Sequence, residues 1–179
     1  MGLAGRERGV SLCGRKCGLV RRNLGGYGRG CGGGDGNQSC AIARCSLEHG
    51  GPEFCWDCPE YPCARYEGFD ECDSFVPHSA RARDAAEARS LGIEAYMARM
   101  RESAALLEEL LGGYNDGRRK TLFSTAAYLL PPEDLRAVLE RLRAQAEGLE
   151  LKERAALAAR LLTEAAQARG LSLKLVKKP

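Results

Sequence analysis

The sequence has no long run of apolar residues. Nothing in its 179 residues approaches the roughly 18–20 consecutive apolar residues that a membrane-spanning helix needs. The stretch MGLAGRERGVSLCGRKCG (1–18) is basic and rich in glycine, and it lacks the apolar core of a secretory signal. We therefore expect a cytoplasmic protein with no membrane partner.

Histidine is also scarce, which limits the catalytic chemistry that the chain can perform. A cysteine nucleophile needs an activating histidine, and the only two are His49 and His78. His49 is predicted in a solvent-facing loop, although it could be a metal ligand, and His78 is predicted to have a structural or capping role. We expect no catalytic residues. An enzyme with an open metal site, made of three cysteines and a water, remains an alternative.

Cysteine is abundant, with nine residues, all of them in the first half of the chain. In a reducing compartment, dense cysteine indicates metal binding more often than disulfides, and an odd number leaves one cysteine unpaired in any closed framework. Metal binding is therefore the preferred interpretation, with disulfides or free thiols as the alternatives. The cysteines are Cys13, Cys17, Cys31, Cys40, Cys45, Cys55, Cys58, Cys63 and Cys72.

Composition divides the chain near residue 78. From Ser79 onward it is dominated by Ala, Leu, Glu and Arg, which favour helices. The predicted fold is mainly α: a small, loop-rich, metal-stapled N-terminal domain, then a four-helix-type C-terminal region. The predicted segments are a flexible N-terminus (1–10), a cysteine-rich metal-binding domain (11–78), a helical domain (79–170) and an extended tail (171–179).

Apolar residues in the second half recur every three or four positions, as in amphipathic helices. One helix is predicted over 93–111, ended by Gly112 and Gly113, and the last over about 150–169. The predicted starts of the other helices are Ser79, Asn115 or Asp116, and Pro132. The predicted buried positions are Ile93, Met97, Met100, Ala104, Leu107, Leu111, Leu135, Val138, Leu139, Leu142, Leu151, Ala155, Ala158, Leu162 and Ala165.

The spacing of the central cysteines favours zinc. A Cys-x2-Cys pair lets two thiolates hold one ion, and a second pair completes a tetrahedron. Cys55 and Cys58 with Cys40 and Cys45 would provide such a set, and Cys63 is near enough to replace any of the four. A segment with so few apolar residues also needs a staple of this kind to fold.

An iron–sulfur cluster is the main alternative, because four thiolates suit it equally and spacing alone does not exclude it. Thioredoxin-type exchange is disfavoured. That chemistry needs a Cys-x-x-Cys pair at the start of a helix, which lowers the pKa of the first thiol. Here Pro59 follows the pair directly, and the neighbouring acidic residues would raise that pKa.

Charge is distributed unevenly along the chain. Basic residues dominate 1–34, whereas acidic residues dominate 35–78. A nucleic-acid-binding protein usually presents a continuous basic face, and the acidic segment interrupts it here. We therefore do not expect nucleic acid as a partner. A protein partner, or a second copy of the chain bound through the helical region, is the expected kind of partner.

Three cysteine blocks resemble the DUF3795 family of uncharacterised, cysteine-rich prokaryotic proteins. The blocks are CGRKCG (13–18), CGGGDGNQSCAIARCSLEHG (31–50) and FCWDCPEYPC (54–63), and LGIEAYMARM (91–100) is similar to the helix that follows them in the family. The resemblance extends over roughly residues 12–111. It implies a zinc-binding or other metal-binding domain and no established activity.

The chain departs from the family pattern at two positions. Val20 and Gly28 stand where family members often have cysteine. A second metal site built from Cys13, Cys17 and Cys31 would therefore lack two family ligands, although these three cysteines stay candidates. The block from Cys40 to Cys63 is unaffected.

Overall fold

A computed structural model describes residues 10–16, 19, 40–74 and 76–177 of the chain. These residues form six α-helices and no strand. The predicted mainly α fold is confirmed. None of the described helices combines the length and the apolar character that crossing a membrane requires.

The last five helices follow one another with short connections, whereas a long segment separates the first two. Two single-turn 3-10 helices, Cys55–Asp57 and Ala64–Tyr66, lie between the first helix and the second. The α-helices are α1 (Ala41–Glu48), α2 (Arg81–Leu91), α3 (Ile93–Gly113), α4 (Lys120–Leu129), α5 (Pro132–Gln145) and α6 (Leu151–Ala168).

Two predicted helix starts were wrong. Ser79 does not cap α2, because the residue before its first helical residue is Ala80. Asn115 and Asp116 do not start α4. Their side-chain oxygens accept hydrogen bonds from backbone N–H groups two residues ahead, at 2.9 and 3.0 Å. Such local bonds offer the backbone an alternative to the helix, so α4 begins only at Lys120.

Other predicted helix ends were confirmed. Pro132 is the first residue of α5, where its missing N–H costs nothing. Helix α3 ends at Gly113, and α6 lies within the predicted range. The described tail, 171–177, contains no strand. Its Val176 exchanges two hydrogen bonds with Asp73, at 2.7 and 2.8 Å.

The chain divides into two units, Met1–Met97 with Val176–Pro179, and Ala98–Leu175. The predicted domain bounds, 11–78 and 79–170, were based on the change in amino-acid composition, and they stay predictions. The predicted flexible segment, 1–10, lies outside the described residues except for Val10.

The core of the second unit confirms most of the predicted apolar face. All four positions predicted on α5, from Leu135 to Leu142, are buried. On α3, Leu110 is fully buried whereas the predicted Leu111 is only half-buried, and on α6 the first residue, Leu151, is 42% exposed. The other fully buried side chains of the second unit include Leu107, Phe123, Tyr128, Leu130, Leu161 and Leu162.

Candidate metal centre

Three short elements carry the central cysteines of the first unit. Cys45 lies on α1, which ends at Glu48 and is followed by Gly50 and Gly51. These glycines have positive φ angles of 84° and 70°, a conformation that favours glycine and that turns the chain back towards the next cysteines. The first 3-10 helix begins at Cys55 and is stabilised by the Asp57 carboxylate, which accepts a hydrogen bond from the Phe54 N–H at 3.2 Å.

The structure brings four cysteines to one small cavity. Cys58 follows the first 3-10 helix, with its N–H bonded to the Cys55 carbonyl at 3.1 Å, and Cys63 precedes the second. With Cys45, these thiols line a cavity of about 30 Å³. All four are half-buried. Apolar and aromatic groups form most of the remaining wall, including Ile42, Pro52, Tyr61 and Tyr66.

Cys40 is placed differently from this set. It packs against a small apolar cluster that contains Leu12, Cys13, Ile42 and Ala43, and it does not line the cavity. The structure therefore gathers Cys63 with Cys45, Cys55 and Cys58, whereas the sequence pairing placed Cys40 in that role. Sequence spacing could not decide between Cys40 and Cys63, because both lie near enough to the other three cysteines along the chain.

The other described cysteines, Cys13 and Cys72, do not line the cavity. Cys13 is buried, and its sulfur lies 3.2 Å from the Ser11 hydroxyl and accepts a hydrogen bond from Arg15 Nε at 3.4 Å. Cys72 is half-buried and does not contribute to the cavity wall. The candidates Cys17 and Cys31 lie outside the described residues.

Burial keeps Cys55 protonated when no cation is near. Burial is the largest cause, and together with the smaller effects of Cys13, Cys63 and Cys45, and against a lowering by Tyr66, it raises the pKa of the Cys55 thiol to about 11. A thiol with such a pKa is a poor nucleophile at neutral pH. A metal cation reverses this preference, because a coordinated thiol is deprotonated.

Tyr66 leaves an unpaired polar atom at the cavity. Its hydroxyl is buried and, among the described residues, makes no hydrogen bond of acceptable geometry. Burial, and then the interaction with the neighbouring Cys55 thiol, raise the pKa of the phenol. A buried polar atom without a partner is uncommon in native proteins and often marks an ion or a water position.

The four cavity thiols suit a soft metal ion, although their sulfur atoms must move closer together to bind a single ion. Thiolates select zinc, iron–sulfur clusters or copper(I), whereas magnesium and calcium require oxygen ligands. Around a tetrahedral zinc with bonds of about 2.3 Å, sulfur atoms lie roughly 3.8 Å apart. Within the described part of the chain, no three of the cavity thiols have all their sulfurs within 4.8 Å of one another. Binding a single ion therefore draws the thiols inward.

Residues 26–68 match the model of DUF3795, a family described as a protein of unknown function. The predicted family is confirmed for this segment. The DUF3795 segment contains all four cavity cysteines and Cys40, and it excludes Cys13, Cys17 and Cys72. No curated protein and no solved structure matches the chain.

The DUF3795 segment also contains a cluster that sequence reasoning missed. The ligand atoms of Cys45, Glu48 and His49 all lie within 4.8 Å of one another, and no other set of three among the described residues does so. The signal was the i, i+3, i+4 spacing of these residues, which places them on one helix face. His49 is exposed in the turn that follows α1, as predicted, and it also belongs to this cluster. The hydrogen bond to the Cys45 carbonyl, and then Glu60, raise the pKa of its imidazole.

Proposed function

We propose that the DUF3795 segment holds a structural zinc ion through the thiolates of Cys45, Cys55, Cys58 and Cys63, and that the protein acts as an interaction or regulatory module. The observation that carries this proposal is the convergence of four half-buried thiols on one small cavity. Closed sites with four sulfur ligands are usually structural.

The secondary structure of the segment explains why a staple is needed. From residue 40 to residue 80, the described chain contains one helix of eight residues and two single-turn 3-10 helices. Short elements of this kind bury too little apolar surface to offset their ordering entropy. Zinc coordination supplies folding free energy directly, and it would link α1 to both 3-10 turns.

The size of the cavity favours a single ion. A volume of about 30 Å³ accommodates roughly one or two water-sized atoms, whereas an iron–sulfur cluster contains several metal atoms and sulfides. The buried Tyr66 hydroxyl borders the same cavity, and it could donate a hydrogen bond to a zinc-bound thiolate.

An iron–sulfur or thiol redox protein is the second candidate. The wide spacing of the cavity thiols favours a cluster, because its ligands bind different iron atoms. Thiol exchange is less well supported, since the raised pKa of Cys55 opposes formation of its thiolate. A cluster therefore remains the specific rival to zinc.

The interaction role is inferred from two features: the closed metal site of the first unit and the charged helical surface of the second. A closed four-sulfur site leaves no open position for a substrate. The second unit, Ala98–Leu175, contributes helices whose exposed faces are mostly charged. We propose a protein partner, or another copy of the chain, as the occupant of a helical surface.

Elemental analysis tests the proposal. The full chain, purified without a histidine tag, is expected to contain about one zinc ion per molecule, to be colourless, and to lose first-unit structure in chelator. Stoichiometric iron with a brown colour would instead establish a cluster. A folded protein that contains no metal, and takes up none after anaerobic reduction, would refute both candidates.

A further inference from the structure

We propose that Cys45, Glu48 and His49 form a second, solvent-facing site for a divalent metal ion such as zinc or cobalt, and that this site loads and unloads the cavity. The role in loading rests on the proposed cavity site, whereas the surface site stands on its own geometry. The three residues are hereafter called the surface triad.

The surface triad lies where a helix favours a cation. Its residues occupy the last turn of α1 and the position just after it. The carbonyl end of a helix carries partial negative charge. Glu48 adds a carboxylate with a side chain that is 65% exposed, and His49 is 31% exposed. A hydrated ion can therefore reach the surface triad from solvent.

The distance within the surface triad matches metal coordination. Cys45 Sγ lies 3.5 Å from His49 Nδ1. With bonds of about 2.3 Å to sulfur and 2.0 Å to nitrogen, ligands at the tetrahedral angle lie about 3.5 Å apart. The separation of this pair therefore already suits coordination of one ion.

Glu60 orients the imidazole for this role. His49 Nε2 lies 3.3 Å from a Glu60 carboxylate oxygen. Metal-binding histidines usually donate their second N–H to such a carboxylate, which fixes the ring and increases its basicity. His49 Nδ1 lies 2.9 Å from the Cys45 carbonyl. Metal binding replaces that hydrogen bond, and the displaced proton passes to solvent.

Arg65 is a cationic group beside the surface triad that opposes metal binding. Its guanidinium lies 3.9 Å from the Glu48 carboxylate and interacts with Cys45. Because its side chain is 44% exposed, it can swing into solvent when the cation binds. Arg65 thus competes with the metal for Glu48 and Cys45, which makes binding at the surface triad weaker and reversible.

Cys45 and His49 connect the two sites. Both belong to the surface triad and also line the cavity. An ion can therefore keep its bond to Cys45 while Glu48 and His49 are exchanged for thiolates of the cavity. Three protein ligands leave a coordination position open, through which the incoming thiolate can bind. Loss of Glu48 or His49 should consequently alter the rates of metal exchange and leave the final metal content unchanged.

Stopped-flow measurement of cobalt and zinc uptake by the metal-free, full-length protein tests this inference. His49→Gln and Glu48→Gln are expected to slow uptake, and also release to a chelator, by about tenfold or more, because each loses one of three ligands. Glu67→Gln, which removes an exposed carboxylate elsewhere in the segment, should behave as wild type. Wild-type rates in both triad variants would overturn the inference and leave the cavity proposal standing.

A second variant tests the surface triad independently of the cavity site. Cys58→Ser removes a cavity thiol and keeps the surface triad intact. Cobalt should still bind this variant weakly, with a thiolate charge-transfer band that His49→Gln abolishes in the double variant. If Cys58→Ser shows no such band, the surface site is refuted. If wild type shows the surface band alone, the surface site stands and the cavity proposal fails.

Discussion

Arg81 donates hydrogen bonds to both carboxylate oxygens of Asp70, at 3.0 and 2.7 Å, and thereby ties α2 to the wall of the cavity. The same guanidinium donates to the Tyr61 hydroxyl at 3.1 Å and lies 4.1 Å from the centroid of the Tyr66 ring. Both tyrosines line the cavity. A single buried arginine thus supports the residues that surround the four thiols.

Replacing Arg81 should destabilise the first unit. Removing one partner of a buried, bidentate ion pair costs roughly 3–5 kcal/mol, and lysine cannot reproduce the fork geometry. We expect Arg81→Lys to lower the free energy of unfolding by about 2 kcal/mol or more, because Asp70 keeps some contact with water. Arg89→Lys, at an exposed position of the same helix, is the control. Urea unfolding that does not distinguish these variants would contradict the role assigned to Arg81.

The core of the second unit should respond strongly to truncation. Leu107 is completely buried on α3. Leu107→Ala is expected to lower the free energy of unfolding by roughly 2–5 kcal/mol, since it removes buried methyl groups and leaves a cavity. Leu151→Ala, at a position that is 42% exposed, should cost about 1 kcal/mol or less. Thermal unfolding monitored by circular dichroism measures both, and equal costs would show that the core is assigned incorrectly.

A ladder of ion pairs connects α3 to α5 in the second unit. In each pair the partners are 34 residues apart, so the two helices run parallel. Exposed pairs contribute roughly 0.2–1 kcal/mol each and are screened by salt. Changing the three glutamates to glutamine should therefore lower the free energy of unfolding by about 1–2 kcal/mol at low ionic strength. The pairs are Arg99–Glu133, Glu102–Arg136 and Glu109–Arg143.

Repeating the comparison at high salt concentration provides the control for the ion pairs between α3 and α5. At about 1 M sodium chloride the Debye length is near 3 Å, so the difference between the triple variant and wild type should largely disappear. A difference that persists in high salt would indicate that the glutamates contribute through packing instead.

Two cysteines with similar burial should respond differently to substitution. Cys58 lines the cavity and Cys72 does not, although both are half-buried. Cys58→Ser is expected to lose the zinc of the cavity and to destabilise the first unit, because zinc binding and folding are coupled. Cys72→Ser should retain zinc and stability. Metal content and unfolding curves of the two purified variants provide the measurement, and equal tolerance would end the argument for a site in this segment.

The periodic part of the chain was predictable because burial there follows a repeating pattern. The face from Leu135 to Leu142 and the start at Pro132 depend on helix geometry alone. The start of α4 was missed because Asn115 and Asp116 bond their own local backbone, which has the same sequence signature as a helix cap.

The candidate site was only partly predictable for a different reason. Cysteine spacing identified the segment, but it could not decide between Cys40 and Cys63. That choice depends on which face of α1 and which 3-10 turn point to the cavity, and these are tertiary properties. The sequence indicates His49 as a possible ligand but does not group it with Glu48, because His49 is predicted in a loop. Its position four residues after Cys45 keeps it beside the same helical face.

The zinc content of Cys63→Ser relative to Cys40→Ser tests the central claim most directly. Cys63 lines the cavity, whereas Cys40 packs in the apolar cluster beside it. Both substitutions replace one thiol by a hydroxyl in the same segment, so each serves as the control for the other. We predict that Cys40→Ser retains zinc at the wild-type level and that Cys63→Ser loses it. Loss of zinc from Cys40→Ser, with full retention in Cys63→Ser, would contradict the assignment of Cys63 as a ligand.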